Sequence, residues 1–303
     1  MCLRDRLKKQ RDTNEKNNMI LIDYNQMIIA NFMQFRKQFE PGKEDSIMRH
    51  MVLNNIKMIK NKFSAKYGKD IVFCCDSKKN WRKDVFPYYK ANRKKVREEN
   101  KQNVDWEALF NILDGIRDEI AENMPYRVVA LDGCEADDII GVICKNYSHK
   151  DYNILIVSSD KDFIQLQRYP NVFQWSPRTK KFIKESDPEK QLRALIVKGD
   201  RSDGIPNILS NDTCLVEGMR QKPMSKRKIL DWLNIIPEKA FEGEILRNFK
   251  RNETLIDLGR IPDKIEINIK TRYESEQYLG RERMLNYFIK HRLKDMTESI
   301  QEF

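Results

Sequence analysis

Acidic residues directly follow several short apolar runs of this sequence, at positions where a buried strand would end. Two carboxylates about 5 Å apart repel each other by roughly 3 kcal/mol at an effective dielectric constant near 20. A group of such residues therefore needs bound cations or retained protons. Nine acids belong to the pattern: Asp23, Asp76, Glu135, Asp137, Asp138, Asp160, Asp162, Asp200 and Asp203.

A donor set made of carboxylates selects hard ions, Mg²⁺ first, with Mn²⁺ able to substitute. Two such ions about 3.5 to 4 Å apart can clamp a phosphodiester, activating water on one side and stabilising the leaving oxygen on the other. The acids therefore indicate a metal-dependent phosphodiesterase with two Mg²⁺. A calcium site or a phosphatase stays open on these residues alone. A lone Asp after a strand more often forms a turn than binds a metal. Acids in the first turn of a helix can have no role beyond stabilising the helix dipole.

A basic stretch lies directly after Asp76. Residues 78–101 contain ten Lys or Arg and three acids, with four aromatic residues interleaved between Trp81 and Tyr89. This composition is typical of a surface that tracks a phosphate backbone and stacks bases. A solvated helix face is the alternative, but the position beside the acids favours a nucleic-acid contact.

The overall composition is compatible with that partner. Lys and Arg outnumber Asp and Glu by 57 to 46, giving a net charge of +11 and a pI near 9.2. Six cysteines without a CxxC pair and three scattered histidines argue against zinc and for reduced thiols in a cytosolic setting. No apolar run has the length of a membrane span, and residues 1–18 are predicted to be a solvated N-terminal extension.

The elements that must position the acids follow from apolar periodicity. Apolar runs alternate with helical patterns, which predicts an α/β fold with a mostly parallel central sheet flanked by helices. The loops that leave the carboxyl ends of such strands converge on one cleft. Strands are predicted at 19–23, 71–76, 127–132 and 153–160, helices at 46–63, 106–124 and 136–147, and an edge hairpin at 172–175 with 180–184.

The β pattern weakens after about residue 200. We therefore predict a catalytic domain at 19–200, which includes the basic stretch 78–101, and a helical C-terminal subdomain at 201–303.

The sequence resembles the 5′ nuclease superfamily, which includes flap endonucleases and the 5′→3′ exonuclease domains of bacterial DNA polymerase I. Within it, the T-even bacteriophage branch called ribonuclease H is most similar, through WSPRTKKFIK (175–184), VEGMRQKPMSK (216–226) and SIQEF (299–303). The superfamily motifs are LIDYNQ (21–26), CDSKKNWRKDVFPYYKANR (75–93), EADDI (135–139), SSDKDF (158–163) and GDRSDGIP (199–206).

The resemblance implies a PIN-like nuclease core with a helical arch. It places Asp23, Asp76, Glu135, Asp137 and Asp138 around a first metal. Asp160, Asp162, Asp200 and Asp203 match the acids that bridge to a second metal or surround it, with Asp160 between the two ions. Lys90 and Arg93 match the arch pair that contacts the scissile phosphate. Arg82 and Lys83 lie shortly before them as further nucleic-acid contacts, and Tyr89 lies where an aromatic residue stacks on the terminal base.

The C-terminal region departs from the superfamily pattern. The glycine-rich hairpin that binds duplex phosphates and a monovalent cation is absent after Pro206, and EGMRQKPMSKRK stands in its place. Ser225 could cap a helix there, with Lys226, Arg227 and Lys228 meeting the phosphates of a duplex. A potassium site stays an open question.

The function implied is a monomeric 5′→3′ exonuclease and flap endonuclease that removes RNA primers and 5′ flaps in DNA replication. Its substrates would be DNA and RNA–DNA duplexes with 5′ ends or flaps, in the cytoplasm of a phage-infected bacterium. A single-strand-binding protein and a sliding clamp are predicted partners. Ile300 and Phe303 could dock on the clamp, and the alternative is that they pack on the chain's own C-terminal subdomain. The alternatives are a non-catalytic DNA-junction binding module and a PIN-like single-strand ribonuclease.

Overall fold

The structure is a computed structural model, which describes residues 18–35, 44–93, 104–148, 152–276 and 280–303. Residues 1–17 of the predicted extension and residues 94–101 of the predicted arch lie outside the described residues.

A six-stranded sheet forms the centre of the molecule. Its strand order is β3-β2-β1-β4-β5-β6, with β1 to β5 parallel and β6 antiparallel to β5. This confirms the predicted parallel sheet and its edge hairpin. The strands are β1 (Met19–Asp23), β2 (Asp70–Cys75), β3 (Arg127–Ala130), β4 (Ile154–Val157), β5 (Val172–Ser176) and β6 (Lys181–Ile183).

Helices cover both faces of the sheet, which explains why its central strands are apolar on both sides. Ile20 and Ile22 of β1 point into one core, and Met19 and Leu21 point into the other, because successive strand side chains alternate. The helices are α1 (Tyr24–Phe35), α2 (Glu44–Tyr67), α3 (Arg82–Val85), α4 (Trp106–Asn123), α5 (Ala136–Tyr147), α6 (Pro188–Lys198), α7 (Lys226–Trp232), α8 (Pro237–Ala240), α9 (Gly243–Ile256), α10 (Asp263–Ser275), α11 (Glu282–Lys290) and α12 (Lys294–Glu298), with 3₁₀ helices at Asp162–Arg168 and Ile300–Glu302.

The region after residue 200 is helical, as predicted. Helices α6, α7 and α9 share a third apolar core with Phe86 and Tyr89 of the predicted arch stretch 78–101. The predicted boundary at residue 200 stays a prediction.

The last residue packs inside the molecule. The ring of Phe303 is fully buried against Phe288 of α11, with 5.2 Å between the ring centroids. Asn61 of α2 donates a hydrogen bond to Glu302 at 2.6 Å. The prediction that Phe303 docks on a sliding clamp is therefore corrected, because the ring is already part of the core. No helix of the described ranges is long and apolar enough to cross a bilayer.

Candidate active site

The strand order reverses between β1 and β4, and loops leaving neighbouring strands diverge there to open a crevice. Asp23 ends β1, and Asp160 lies three residues beyond β4. Asp76 follows β2, and its carboxylate accepts a 2.8 Å hydrogen bond from the amide of Ala136 at the start of α5. The topology thus brings acids from distant parts of the chain to one crevice.

Asp23 lies at the bottom of this crevice and is only 5% exposed. It accepts hydrogen bonds from the Ser158 hydroxyl at 3.0 Å and from the Gln26 amide at 3.2 Å. Burial, followed by the charge of Asp76, raises its pKa to about 8. The site therefore retains a proton in the absence of a bound cation.

Asp137 lies within electrostatic range of Asp23 and Asp160. Its burial, then the charges of Asp160 and Asp23, raise its pKa well above the ordinary value. The pKa of Asp76 is also raised, chiefly by burial. Asp23, Asp76 and Asp137 thus form one acidic group of the crevice, contributed by the ends of β1 and β2 and by the first turn of α5.

A second group lies opposite, where the carboxylate oxygens of Asp162, Asp200 and Asp203 come within 4.8 Å of one another. Burial and then the charge of Asp160 raise the pKa of Asp162 to about 8. Backbone turns hold the group in place, since the Asp162 amide donates to Asp160 at 3.0 Å and the Ser202 amide donates to Asp200 at 2.7 Å. Hard divalent ions fit both groups, because every donor is a carboxylate oxygen.

Lys90 and Arg93 contact the acids from the arch side. The Lys90 ammonium lies 2.5 Å from Glu135 and 3.5 Å from Asp203, and the Arg93 guanidinium lies 2.5 Å from Asp203. Glu135 has a lowered pKa because Lys90 and Arg82 outweigh the effect of its burial. Lys90 has φ of 55°, a conformation that non-glycine residues rarely adopt outside constrained sites.

Asp138 is turned away from the crevice. It is fully buried, lies 2.8 Å from the Arg82 guanidinium, and accepts hydrogen bonds from the Trp81 indole at 3.2 Å and the Glu135 amide at 2.9 Å. These partners place Asp138 beneath the site rather than in it.

Arg82 and Tyr89 differ from their predicted roles as nucleic-acid contacts. Each is 2% exposed. Arg82 donates to the Leu255 carbonyl at 2.8 Å, and the Tyr89 hydroxyl lies 2.8 Å from Glu135 and 2.9 Å from Asp203. In this structure neither side chain is accessible to a nucleic acid, and both instead position acids of the site.

The other predicted contacts are exposed. Lys83 faces the crevice, and Ser225 caps α7 by accepting a hydrogen bond from the Lys228 amide at 3.1 Å. Lys226, Arg227 and Lys228 are exposed in the first turn of that helix.

The sequence left open whether a monovalent cation binds in the C-terminal region. In the structure, side chains of α9 donate hydrogen bonds to the carbonyls of the loop at 206–210. The Asn248 amide donates to the carbonyls of Ile208 and Ser210 at 3.0 and 3.2 Å. Asn252 and Arg251 donate to the carbonyl of Pro206 at 2.8 and 3.1 Å. These side chains fix the loop onto α9.

Sequence reasoning missed two residues that shape the site. Ser158 bonds to Asp23, and Gln174 of β5 donates to the backbone carbonyls of Ser158 and Asp160 at 3.1 and 2.5 Å. Gln174 is fully buried. A glutamine inside the otherwise apolar run VFQW was the signal, because a buried amide must find partners.

Two family profiles together match residues 18–303 of the chain. Residues 18–193 match the 5′-3′ exonuclease N-terminal resolvase-like domain, and residues 186–303 match the C-terminal domain of T4 RNase H. The ribonuclease H of enterobacteria phage T4 is 38% identical over 308 aligned residues, covering 96% of this chain and 98% of that protein. The chain belongs to the 5′-3′ exonuclease family.

A further relative and two solved structures are also similar to this family member. A 5′-3′ exonuclease of Buchnera aphidicola is 31% identical, covering 84% of this chain and 90% of that protein. The bacteriophage T5 protein D15, crystallised with metal ions, shares the fold with a TM-score of 0.58 at 16% identity, over 86% of this chain and all of that one. A complex of the T5 flap endonuclease with DNA and metal ions has a TM-score of 0.52 at 18% identity, over 85% of this chain and all of that one.

Proposed function

We propose that this 5′-3′ exonuclease family member is a Mg²⁺-dependent 5′→3′ exonuclease and flap endonuclease that removes RNA primers and 5′ flaps. The observation that carries the proposal is the convergence of buried acids at the β1–β4 crevice, with Lys90 and Arg93 over its open side. A non-catalytic junction-binding module would gain nothing from so many buried carboxylates with raised pKa values.

Two divalent ions would be held by the two groups of acids. Asp23, Asp76, Asp137 and Asp160 would hold the first, and Asp162, Asp200 and Asp203 the second, with Glu135 between Lys90 and the crevice. Bound there, Mg²⁺ would neutralise phosphate charge and lower the pKa of an attacking water molecule. Mn²⁺ could substitute, because it prefers the same oxygen ligands.

The chain's own cations would act on the reacting phosphate. Lys90 and Arg93 are anchored on Glu135 and Asp203, so a phosphate entering the crevice meets both cations at a fixed place. There they would stabilise the negative charge that grows in the transition state. Preorganised charges act in this way in other hydrolases. Arg82 and Tyr89 would keep Glu135 and Asp203 in position.

The proposed setting follows from the relatives. Replication fragments in an infected bacterial host would supply the substrates, and single-strand-binding protein or a clamp would be partners through surfaces other than Phe303. The chain would act as a monomer.

A cleavage assay tests the function. A 5′-flap DNA, an RNA–DNA hybrid with a 5′ end and a linear single-stranded RNA are incubated with and without Mg²⁺. We expect Mg²⁺-dependent cutting of the first two, with 5′-phosphorylated products. Cutting of the single-stranded RNA alone would instead identify a PIN-like ribonuclease, and binding without cutting would identify a junction-binding module.

Asp162→Asn separates chemistry from binding in the same assay. The substitution removes one carboxylate from the group of three and keeps the side-chain shape. We expect turnover to fall at least 100-fold while flap affinity changes less than threefold, as measured by fluorescence anisotropy. Asp231→Asn, at an exposed position of α7, is the matched control and should behave like the wild type. Equal turnover of the two variants would remove Asp162 from the metal site.

A further inference from the structure

Asp160 is carried by a short turn that leaves the sheet after β4. The strand ends at Val157, and the Ser158 amide makes one further contact with β5 by donating to the Trp175 carbonyl at 3.2 Å. The Asp160 amide then donates to the Ser158 hydroxyl at 3.0 Å. The position of the Asp160 carboxylate therefore depends on what holds the backbone of residues 158–160.

This turn joins the two acidic groups of the crevice. The Ser158 hydroxyl donates to Asp23 at 3.0 Å, and the Asp160 carboxylate accepts a hydrogen bond from the Asp162 amide at 3.0 Å. After burial, the charge of Asp160 is the largest cause of the raised pKa of both Asp137 and Asp162. A shift of the turn would therefore move Asp160 relative to both groups.

Gln174 holds the turn from the neighbouring strand. Its backbone lies level with Ile156 in the ladder of β4 and β5, and its side chain reaches forward to the carbonyls of Ser158 and Asp160 at 3.1 and 2.5 Å. The two N–H donors of one planar amide thus fix two carbonyls that lie two residues apart. The side chain is fully buried, so water does not compete for these bonds.

An amide is unfavourable at this position of β5 unless its donors are used. Val172, which points to the same face of the sheet as Gln174, belongs to an apolar core. Burying a polar group costs free energy that hydrogen bonds must offset. The Oε1 atom of Gln174 has no donor among the described residues. The amide therefore serves the turn through its N–H groups and adds nothing to the apolar core.

We propose that Gln174 is a positioning residue for the metal site, which fixes the Asp160 carboxylate between the two acidic groups and thereby sets how tightly divalent ions bind. The inference rests on the proposed function for the identity of the ions. Gln174 itself contacts the backbone of the turn and acts through Asp160. Substituting residues that orient metal ligands typically lowers metal affinity or activity by about 10- to 100-fold.

Metal binding by the full chain tests the proposal without any cleavage. Mn²⁺ is the probe, because it takes the same oxygen ligands as Mg²⁺, and free Mn²⁺ is measured by electron paramagnetic resonance during a titration. Gln174→Met keeps the approximate volume of the side chain and removes both donors. We expect its Mn²⁺ affinity to fall about tenfold below that of the wild type, with flap affinity in EDTA changed by less than about twofold.

Two further variants make the assignment specific. Gln174→Asn keeps an amide on a side chain that is one methylene shorter, so it should also lose Mn²⁺ affinity, and it carries the test if circular dichroism shows that Gln174→Met is unfolded. Gln167→Met is the matched control. The Gln167 side chain donates to the Ile183 carbonyl at 3.3 Å and accepts from the Glu185 amide at 3.0 Å, and neither partner belongs to the site. This variant should bind Mn²⁺ like the wild type, whatever its effect on stability.

Cleavage provides the second measurement. The Mg²⁺ concentration for half-maximal single-turnover cleavage of a flap should rise about tenfold in Gln174→Met. Saturating Mg²⁺ should return the rate to within about threefold of the wild type, because the metal ligands themselves are intact. A role of Gln174 in stability alone would leave the Mg²⁺ requirement of the folded protein unchanged.

Equal Mn²⁺ affinity in the wild type and a folded Gln174 variant would overturn the proposal, and so would an equal loss in Gln167→Met. If the wild type fails to cut flaps in Mg²⁺ yet its Mn²⁺ affinity depends on Gln174, the nuclease function fails and the positioning role stands.

Discussion

At the scale of single residues, Lys90 and Arg93 offset part of the charge that the acids bring together. Lys90 contacts both Glu135 and Asp203, which come from different ends of the site. Both ammonium contacts are largely shielded from water, since the Lys90 side chain is 15% exposed. A phosphate that enters the crevice therefore meets a cation that is already oriented.

Lys90→Met should lower turnover more than affinity. The side chain contacts the place of the reacting phosphate, and one preorganised cation contributes about 100-fold to such reactions. We expect single-turnover cleavage of a flap to slow about 100-fold, with a change in anisotropy-derived affinity below threefold. Lys83→Met, at an exposed cation, should show the reverse pattern. A Lys90→Met effect confined to affinity would contradict the role.

The acids also predict how stability depends on pH. Asp23 and Asp162 have a pKa near 8 in the folded protein and ordinary values near 3.9 when unfolded. Between these values the folded state holds more protons, so the free energy of unfolding of the metal-free protein should fall as pH rises from about 4 to about 8. The decrease between pH 6 and pH 8 should be roughly 1 to 3 kcal/mol by urea unfolding in EDTA.

Two controls bear on this pH effect. Asp23→Asn should flatten the pH dependence, because the substituted group cannot titrate. Mg²⁺ should stabilise the wild type more at pH 8 than at pH 6, because fewer protons must leave the carboxyl groups before the ion binds. Identical stability at the two pH values in EDTA would show that these carboxyls do not carry raised pKa values.

At the scale of elements, the loop that carries Asp200 and Asp203 is joined to the base of the arch by backbone contacts. The Lys90 amide donates to the Asp203 carbonyl at 2.7 Å. Gly204 has φ of +73°, and a Cβ atom there would lie 2.9 Å from the Tyr88 carbonyl oxygen. Only glycine allows this loop to lie so close to the arch base.

Gly204→Ala should therefore damage both stability and catalysis. We expect the free energy of unfolding to fall by about 1 to 3 kcal/mol, from the strained φ and the contact with Tyr88. Flap cleavage should slow at least tenfold, because Asp203 must move. Gly218→Ala is the matched control, since Gly218 has φ of +69° with nothing within 4 Å of the added Cβ. Equal effects of the two substitutions would show that the close approach to Tyr88 is unimportant.

The elements and the meeting of the strand-end acids at one crevice were predictable from sequence for a physical reason. Parallel strands buried on both faces are continuous apolar runs, and an acid at the end of each run has a known edge of the sheet to occupy. The burial of Arg82 was not predictable, because its partner Leu255 is 173 residues away and the local run of lysines suggests a solvated surface. The burial of Tyr89 was not predictable for the same reason, since its core neighbours come from the distant helices α6 and α9.

At the scale of the whole molecule, the C-terminal residues are packed against helix α2 of the sheet domain. Helix α2 donates from Lys57 to Ser299 at 3.1 Å and from Asn61 to Glu302 at 2.6 Å, while Phe303 joins the core that covers one face of the sheet. The C-terminal residues are thus part of the nuclease domain's support. A nuclease whose acids repel one another needs such a scaffold to hold them at fixed positions.

Phe303→Ala should destabilise the whole molecule cooperatively. Removing a fully buried phenylalanine typically costs about 3 to 5 kcal/mol, through lost apolar burial and the cavity left behind. We expect this decrease in the free energy of unfolding from urea titration followed by circular dichroism, with one transition. Turnover at low temperature should be close to normal, because the ring of Phe303 packs on Phe288 of α11 and carries no group of the site. Ile289→Ala, at a side chain of α11 that is 62% exposed, should cost less than about 0.5 kcal/mol. Unchanged stability of Phe303→Ala would show that the C-terminal residues are free to dock elsewhere.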